Sequence, residues 1–216
     1  MQLVPRPQHR TSSPTPEDVR GLPDPCDSGE ADRSALPDLS SELDREVETS
    51  RDRVGIFIDG SNLFYAAMQL GLEIDYSKLL AYLVQGRRLL RAYFYTGVDP
   101  HNEKQQGFLL WMRRHGYRVV TKDLAHNADG SKHANLDVEI AIDMLELAQY
   151  CNTIVLLSGD GDLTYVVNAI AYQGAQVEVV SLQSMTSDSL INVADRYVDL
   201  AKIRPLIQRD EDQAAL

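Results

Sequence analysis

The sequence predicts an α/β fold, a doubly wound sandwich in which a central, mostly parallel five-stranded sheet carries helices on both faces. Short β-branched runs alternate with longer segments of helical period, Gly- and Asp-rich loops follow the strands, and every aromatic residue lies beyond Asp52. Strands separated by helices must run parallel, joined by right-handed crossovers.

The elements follow in order. Residues 54–58 (VGIFI) form a buried strand, stopped by Asp59-Gly60-Ser61-Asn62, after which Leu63, Ala66, Ala67 and Leu70 mark a helical face. A second helix is expected over residues 77–85 and a strand over 89–95, and Pro100 then punctuates a turn. Residues 103–115 place Phe108, Leu109 and Met112 on one helical side, Gly116 ends that helix, and 117–121 read as the third strand. A polar loop over 125–135 precedes a helix over 136–149. The last units are a strand at 153–157, a Gly/Asp loop, a helix at 164–172 and a strand at 176–181.

Composition divides the chain. Residues 1–52 hold seven of the nine prolines and no Phe, Tyr or Trp, and carry a net charge of −6. Such a segment cannot bury enough apolar surface to offset its ordering entropy, so a disordered, acidic, Pro-rich arm is expected there. Residues 208–216 form an acidic tail of net −2, which leaves only −3 of the total −11 on the domain at 53–207. Acidity concentrated in the ends does not exclude a nucleic-acid partner. No apolar run approaches the roughly 20 residues of a membrane span, and the N-terminus lacks a secretory apolar core. Two cysteines, Cys26 and Cys151, make no disulfide framework, and the expected location is cytoplasmic.

In doubly wound sheets ligands bind outside the carboxyl ends of the strands, so residues just after strands carry the information. Here they are acidic. Asp59 follows the first strand, Asp160 and Asp162 follow the fourth in Ser158-Gly159-Asp160-Gly161-Asp162, and Asp137 opens the helix after the polar loop. Asp137 shares a helix face with Ile140, Ala141, Met144 and Leu145, which turns it toward the rim; Asp143, about 240° further round, points elsewhere or reaches the rim from behind to order a water. Carboxylates crowded at one rim repel unless a cation neutralises them. An all-oxygen set selects Mg²⁺ or Mn²⁺ over zinc, for which the five scattered histidines offer no spacing. Asn62 and Ser158 are further oxygen ligands or orienters.

Rival motifs fail. Gly159-x-Gly161 has Thr164 where a dinucleotide fingerprint needs its third glycine, and its aspartates would repel a pyrophosphate. Neither a phosphate-binding P-loop nor a Gly-x-Ser-x-Gly elbow is present, and Cys151 reads as a core cysteine.

Residues 58–63 (IDGSNL), 135–144 (NLDVEIAIDM) and 157–162 (LSGDGD) resemble the three acidic motifs of the NYN domain, within the PIN-like nuclease group and its LabA-like branch. The resemblance covers about residues 53–205. It implies a PIN-like fold and a Mg²⁺- or Mn²⁺-dependent ribonuclease that hydrolyses RNA phosphodiester bonds with an activated water. Asp59, Asp137, Asp160 and Asp162 would then be catalytic and metal-binding, with Asn62, Ser158, Lys132 and His133 on the substrate side. The implied partner is single-stranded or structured RNA, held by cations such as Lys122, Arg113 and Arg114 and by stacking on Tyr65, Tyr95 or His133. Arg87 and Arg88 sit at the opposite end of the sheet.

A second reading is a non-catalytic LabA-like regulator of circadian or gene-expression output, acting through a protein or RNA partner, with a homodimer surface or the acidic arm as its contact. A third, a phosphatase with Asp59 as nucleophile, is weakened because Ser61 stands where its second Asp belongs.

Overall fold

The computed structural model describes residues 52–99, 101–126 and 132–210; at 125, 126, 132 and 133 it describes the backbone alone. The expected arm over residues 1–51 and the end of the tail, 211–216, lie outside them.

Strand β1 (Arg53–Asp59) is followed by α1 (Gly60–Leu70) and α2 (Tyr76–Val84), β2 (Arg88–Val98), α3 (Glu103–Arg114) and β3 (Tyr117–Asp123). A two-stranded antiparallel ribbon, β4 (Ala125–His126) with β5 (Lys132–His133), leads into α4 (Asp137–Ala148). Then come β6 (Thr153–Leu157), α5 (Thr164–Tyr172), β7 (Gln176–Ser181), α6 (Asp188–Val193), β8 (Arg196–Asp199) and α7 (Leu200–Ile207).

The main sheet has six strands where the sequence predicts five, in the order β3-β2-β1-β6-β7-β8, and every neighbouring pair is parallel. The sixth, β8, is four residues long and only partly covered, so it has neither the apolar run nor the strict alternation that marks a strand in sequence. The chain builds outward from β1 in one direction, then crosses back to lay β6 on its other side. That reversal is a topological switch point between the carboxyl ends of β1 and β6.

Two cores flank the sheet. Ile56 and Ile58 of β1 pack with Leu63, Leu79, Leu83, Leu109, Met112 and Ile203, which seats α1, α2, α3 and α7 on one face. Phe57 points the other way and packs with Ile140, Met144, Val167 and Ile170 of α4 and α5. The period-2 alternation of β1 thus feeds both cores, as a central strand must.

Residues 208–210 stay on the domain. Gln208 bridges to Ile74, the Arg209 N–H donates to the Glu73 carbonyl at 2.9 Å, and Asp210 pairs with Lys78 at 2.7 Å. At the amino ends of the strands, Arg87 and Arg196 close on the buried Glu178 at 3.1 and 3.4 Å. Arg87 is committed there, far from the rim that carries the aspartates.

Candidate metal centre at the sheet switch point

Asp59 ends β1 in extended geometry and caps α1, its Oδ1 accepting from the backbone N–H groups of Ser61 at 3.0 Å and Asn62 at 3.1 Å. A short Asx-type side chain at an N-cap meets donors that the first helical turn leaves unpaired. Gly60 lets this happen close to the sheet: a Cβ there would stand 2.6 Å from the Tyr95 carbonyl oxygen. Asp59 Oδ2 accepts from the Ser158 hydroxyl at 3.2 Å.

Ser158 follows β6 and is 0% exposed. Its Oγ also accepts from the Asp160 N–H at 3.2 Å, so one hydroxyl links the loops after β1 and β6. Asp160 in turn caps the turn Gly161–Leu163, accepting from the Asp162 N–H at 2.9 Å. Asp137 begins α4, where the helix dipole favours an anion, and Asn135 grips it twice. The Asn135 Nδ2 donates to Asp137 Oδ2 at 2.7 Å, and Asn135 Oδ1 accepts from the Asp137 N–H at 2.9 Å.

The outcome is a cluster of Asp137, Asp160 and Asp162 in which one carboxylate oxygen from each lies within 4.8 Å of the others. Asp59, with both oxygens bound by the protein, lines the same cavity of about 230 Å³, together with Asn62 and Asn135. Burial pushes the Asp59 carboxyl above its ordinary value, and the charge of Asp160 adds to this against three hydrogen bonds that oppose it. Burial likewise raises Asp137, with Asp160, Asp59 and Asp162 adding repulsion against the Asn135 hydrogen bond. Three converging carboxylates, with no imidazole or thiolate among the described residues that line the cavity, form a donor set that fits a hard divalent cation.

Other expected site residues fall differently. Ser158 is sealed from solvent, so it orients Asp59 and Asp160 and does not face a substrate. Lys132 and His133 form β5, and their side chains lie outside the described residues. Tyr95 is 1% exposed and cannot stack on a substrate; its hydroxyl donates to Asp143 Oδ2 at 2.8 Å, so Asp143 is held inward by β2. Lys122 is bound to Glu139 at 2.8 Å and to the Asn135 carbonyl at 2.9 Å, which ties β3 to the start of α4. Tyr65 does reach the rim, exposed and lining the acidic cavity. Asn135 carried no assigned role in sequence, although an Asn two residues before an Asp is the spacing of a local side-chain clamp.

A parallel sheet with an acidic cluster at its switch point is an α/β domain with a candidate ligand site outside the carboxyl ends of its strands. The chain belongs to the NYN domain family, which matches residues 53–201. It is 39% identical over 168 residues to the low amplitude and bright protein LabA of Synechococcus elongatus, across 74% of this chain and 89% of that one. In three dimensions it resembles a protein of unknown function from Vibrio parahaemolyticus, with a TM-score of 0.63 and 27% identity over 69% of this chain and 93% of that one. Among the described residues no helix is long and apolar enough to cross a membrane.

Proposed function

We propose that this NYN-domain protein is a metal-dependent ribonuclease that hydrolyses RNA phosphodiester bonds at the switch point of its sheet. The observation that carries this reading is the convergence of Asp137, Asp160 and Asp162 within 4.8 Å, beside Asp59. Those three would hold Mg²⁺ or Mn²⁺, with Asp59 at the back of the site. Bound there, the ion supplies Lewis-acid activation of water and neutralises charge on the phosphodiester.

The chain's own part is placement. Asn135 fixes the Asp137 carboxylate at the start of α4, and the Ser158 hydroxyl fixes Asp59 against the Asp160 loop. With Asn135 holding Asp137 at 2.7 Å and the fully buried Ser158 holding Asp59 at 3.2 Å, these two carboxylates are positioned before a cation or substrate arrives. Without a cation the same cluster repels a phosphate, which makes substrate binding as well as chemistry depend on metal.

The test is cleavage of end-labelled, mixed-sequence RNA with Mn²⁺, Mg²⁺ or EDTA, run beside Asp137→Asn and Asp160→Asn. Metal-dependent products bearing 5′-phosphate are expected, reduced about 100-fold or more in both variants. The likeness to LabA favours a second reading, a regulator that keeps the fold and binds without cutting. Folded protein that binds Mn²⁺ yet cleaves nothing would overturn the nuclease in favour of that regulator.

A further inference from the structure

Beside the acidic cavity lies a second and larger one, of about 480 Å³, on the α1 and α3 side of the sheet. The two share Ser61, Tyr65 and Ala134, so they are neighbouring compartments of one surface. Their chemistry differs. The larger is walled by Tyr76, Phe94 and Phe108, packed ring against ring with centroids 5.1 to 6.0 Å apart. At its rim Phe64 and Tyr65 stand 59% exposed, edge to face at 5.6 Å. Five rings thus gather along one cavity beside the acidic cluster, a surface on which a flat apolar group can be laid.

The polar edge is equally specific. Gln105 is locked, its Oε1 accepting from the Asp99 N–H at 3.0 Å and its Nε2 donating to the Gly97 carbonyl at 2.9 Å. Asn102 spends its Oδ1 on the cap of α3, which leaves its amide nitrogen as the donor it can offer. Thr96 donates its hydroxyl to the Gly97 carbonyl, which leaves that oxygen able to accept. An aromatic wall with one donor and one acceptor at its edge is the surface that a nucleobase takes up, by stacking and edge hydrogen bonds.

We propose that this cavity is the base-binding subsite of the substrate: it receives one unpaired nucleobase of an RNA strand whose neighbouring phosphate lies at the acidic cluster. The inference rests on the ribonuclease reading and adds to it that the substrate is single-stranded at this position, because an unpaired base enters without the few kcal/mol that unpairing and unstacking a duplex base would cost. A volume of this size lies within the usual range of small-ligand sites, roughly 300–1,000 Å³. The acidic cavity is half that size and anionic, so recognition of a base falls to its neighbour.

The experiment measures binding by fluorescence anisotropy, using the full chain with Asp160→Asn to suppress cleavage, in Mg²⁺ raised to the concentration that saturates this variant in a calorimetric titration. The probes are a fluorescein-labelled 12-mer of mixed-sequence single-stranded RNA and the same strand with its central bases removed. Two further variants are compared in that background: Thr96→Trp, which fills the cavity, and Phe64→Ala, which removes an exposed ring. Each is expected to weaken binding of the intact RNA on the order of tenfold and to leave binding of the abasic strand unchanged. If Thr96→Trp melts early, Phe64→Ala carries the test, since its ring lies outside the core. Both variants binding intact RNA like their parent, in a chain that cleaves RNA when Asp160 is restored, would overturn the subsite and leave the nuclease standing. A parent that binds neither strand, with no cleavage by the unmutated chain, would overturn both.

Discussion

At Ser158 one buried hydroxyl holds a carboxylate and a backbone, donating to Asp59 Oδ2 and accepting from the Asp160 N–H. At Tyr95 another does the opposite and takes a carboxylate away from the site. Its hydroxyl donates to Asp143 across 48 residues of sequence, and burial together with the Asp143 charge pushes that phenol far up, so it stays a donor across the working pH range. This is why the four rim aspartates were legible in sequence while the fate of Asp143 was not. Asp59, Asp137, Asp160 and Asp162 each sit at the start of a helix or turn, positions that local patterning announces, whereas a partner on a distant strand leaves no trace in spacing. Tyr95→Phe should strand the Asp143 carboxylate half-buried and lower stability by about 1–2 kcal/mol, a fall in Tm on the order of 5 °C. A thermal melt checks it. In a double-mutant cycle with Asp143→Ala the two effects should be clearly less than additive; full additivity would mean that the pair contributes nothing.

Element by element, the sequence was readable wherever an apolar period was long. The helix Thr164–Tyr172 and the strands Thr153–Leu157 and Gln176–Ser181 fall where periodicity places them, because each feeds a core with an unbroken face. After β7 the signal fades: α6 has six residues and β8 four, each too short to show a period. The loop between β6 and α5 is the one whose backbone the site depends on most. A Cβ on Gly159 would stand 2.4 Å from the Met185 carbonyl oxygen and 2.8 Å from the Ser181 hydroxyl, and a backbone oxygen cannot swing aside. Gly159→Ala should therefore push the Asp160–Asp162 turn off its seat. Mn²⁺ affinity measured by calorimetry should fall at least tenfold, with a loss in Tm of several degrees. Gly107, exposed on α3 with open space around its Cβ position, is the contrast. Gly107→Ala should raise stability by about 0.5–1 kcal/mol and leave metal affinity unchanged, which separates the packing constraint from any general intolerance of alanine.

For the whole molecule, the acidic rim opposes folding when no cation is present. Asp59 and Asp137 both have carboxyl groups raised above their ordinary value, so the folded state holds their protons more tightly than the unfolded chain does. A group shifted in that direction contributes stability fully present below the unfolded value and lost as pH rises through the folded one. Glu139, lowered chiefly by its hydrogen bond from Lys122, acts in the opposite sense, its contribution present above the ordinary Glu value and lost as pH falls through its folded one. The two effects therefore lie on opposite sides of the ordinary carboxylate values, Glu139 below and the rim aspartates above. In EDTA, Tm should decline as pH rises above the ordinary Asp value, whereas millimolar Mg²⁺ or Mn²⁺ should lift the high-pH end and flatten the curve, because a cation that binds only the folded cluster stabilises it by mass action. Asp160→Asn removes a charge that adds to the burial raising both neighbours while keeping an oxygen for the Asp162 N–H, so its metal-free curve should be flatter and lie above the parent's on the high-pH side. Metal-free melts of parent and variant that run parallel across this range would mean that the rim carries no repulsion for a cation to relieve.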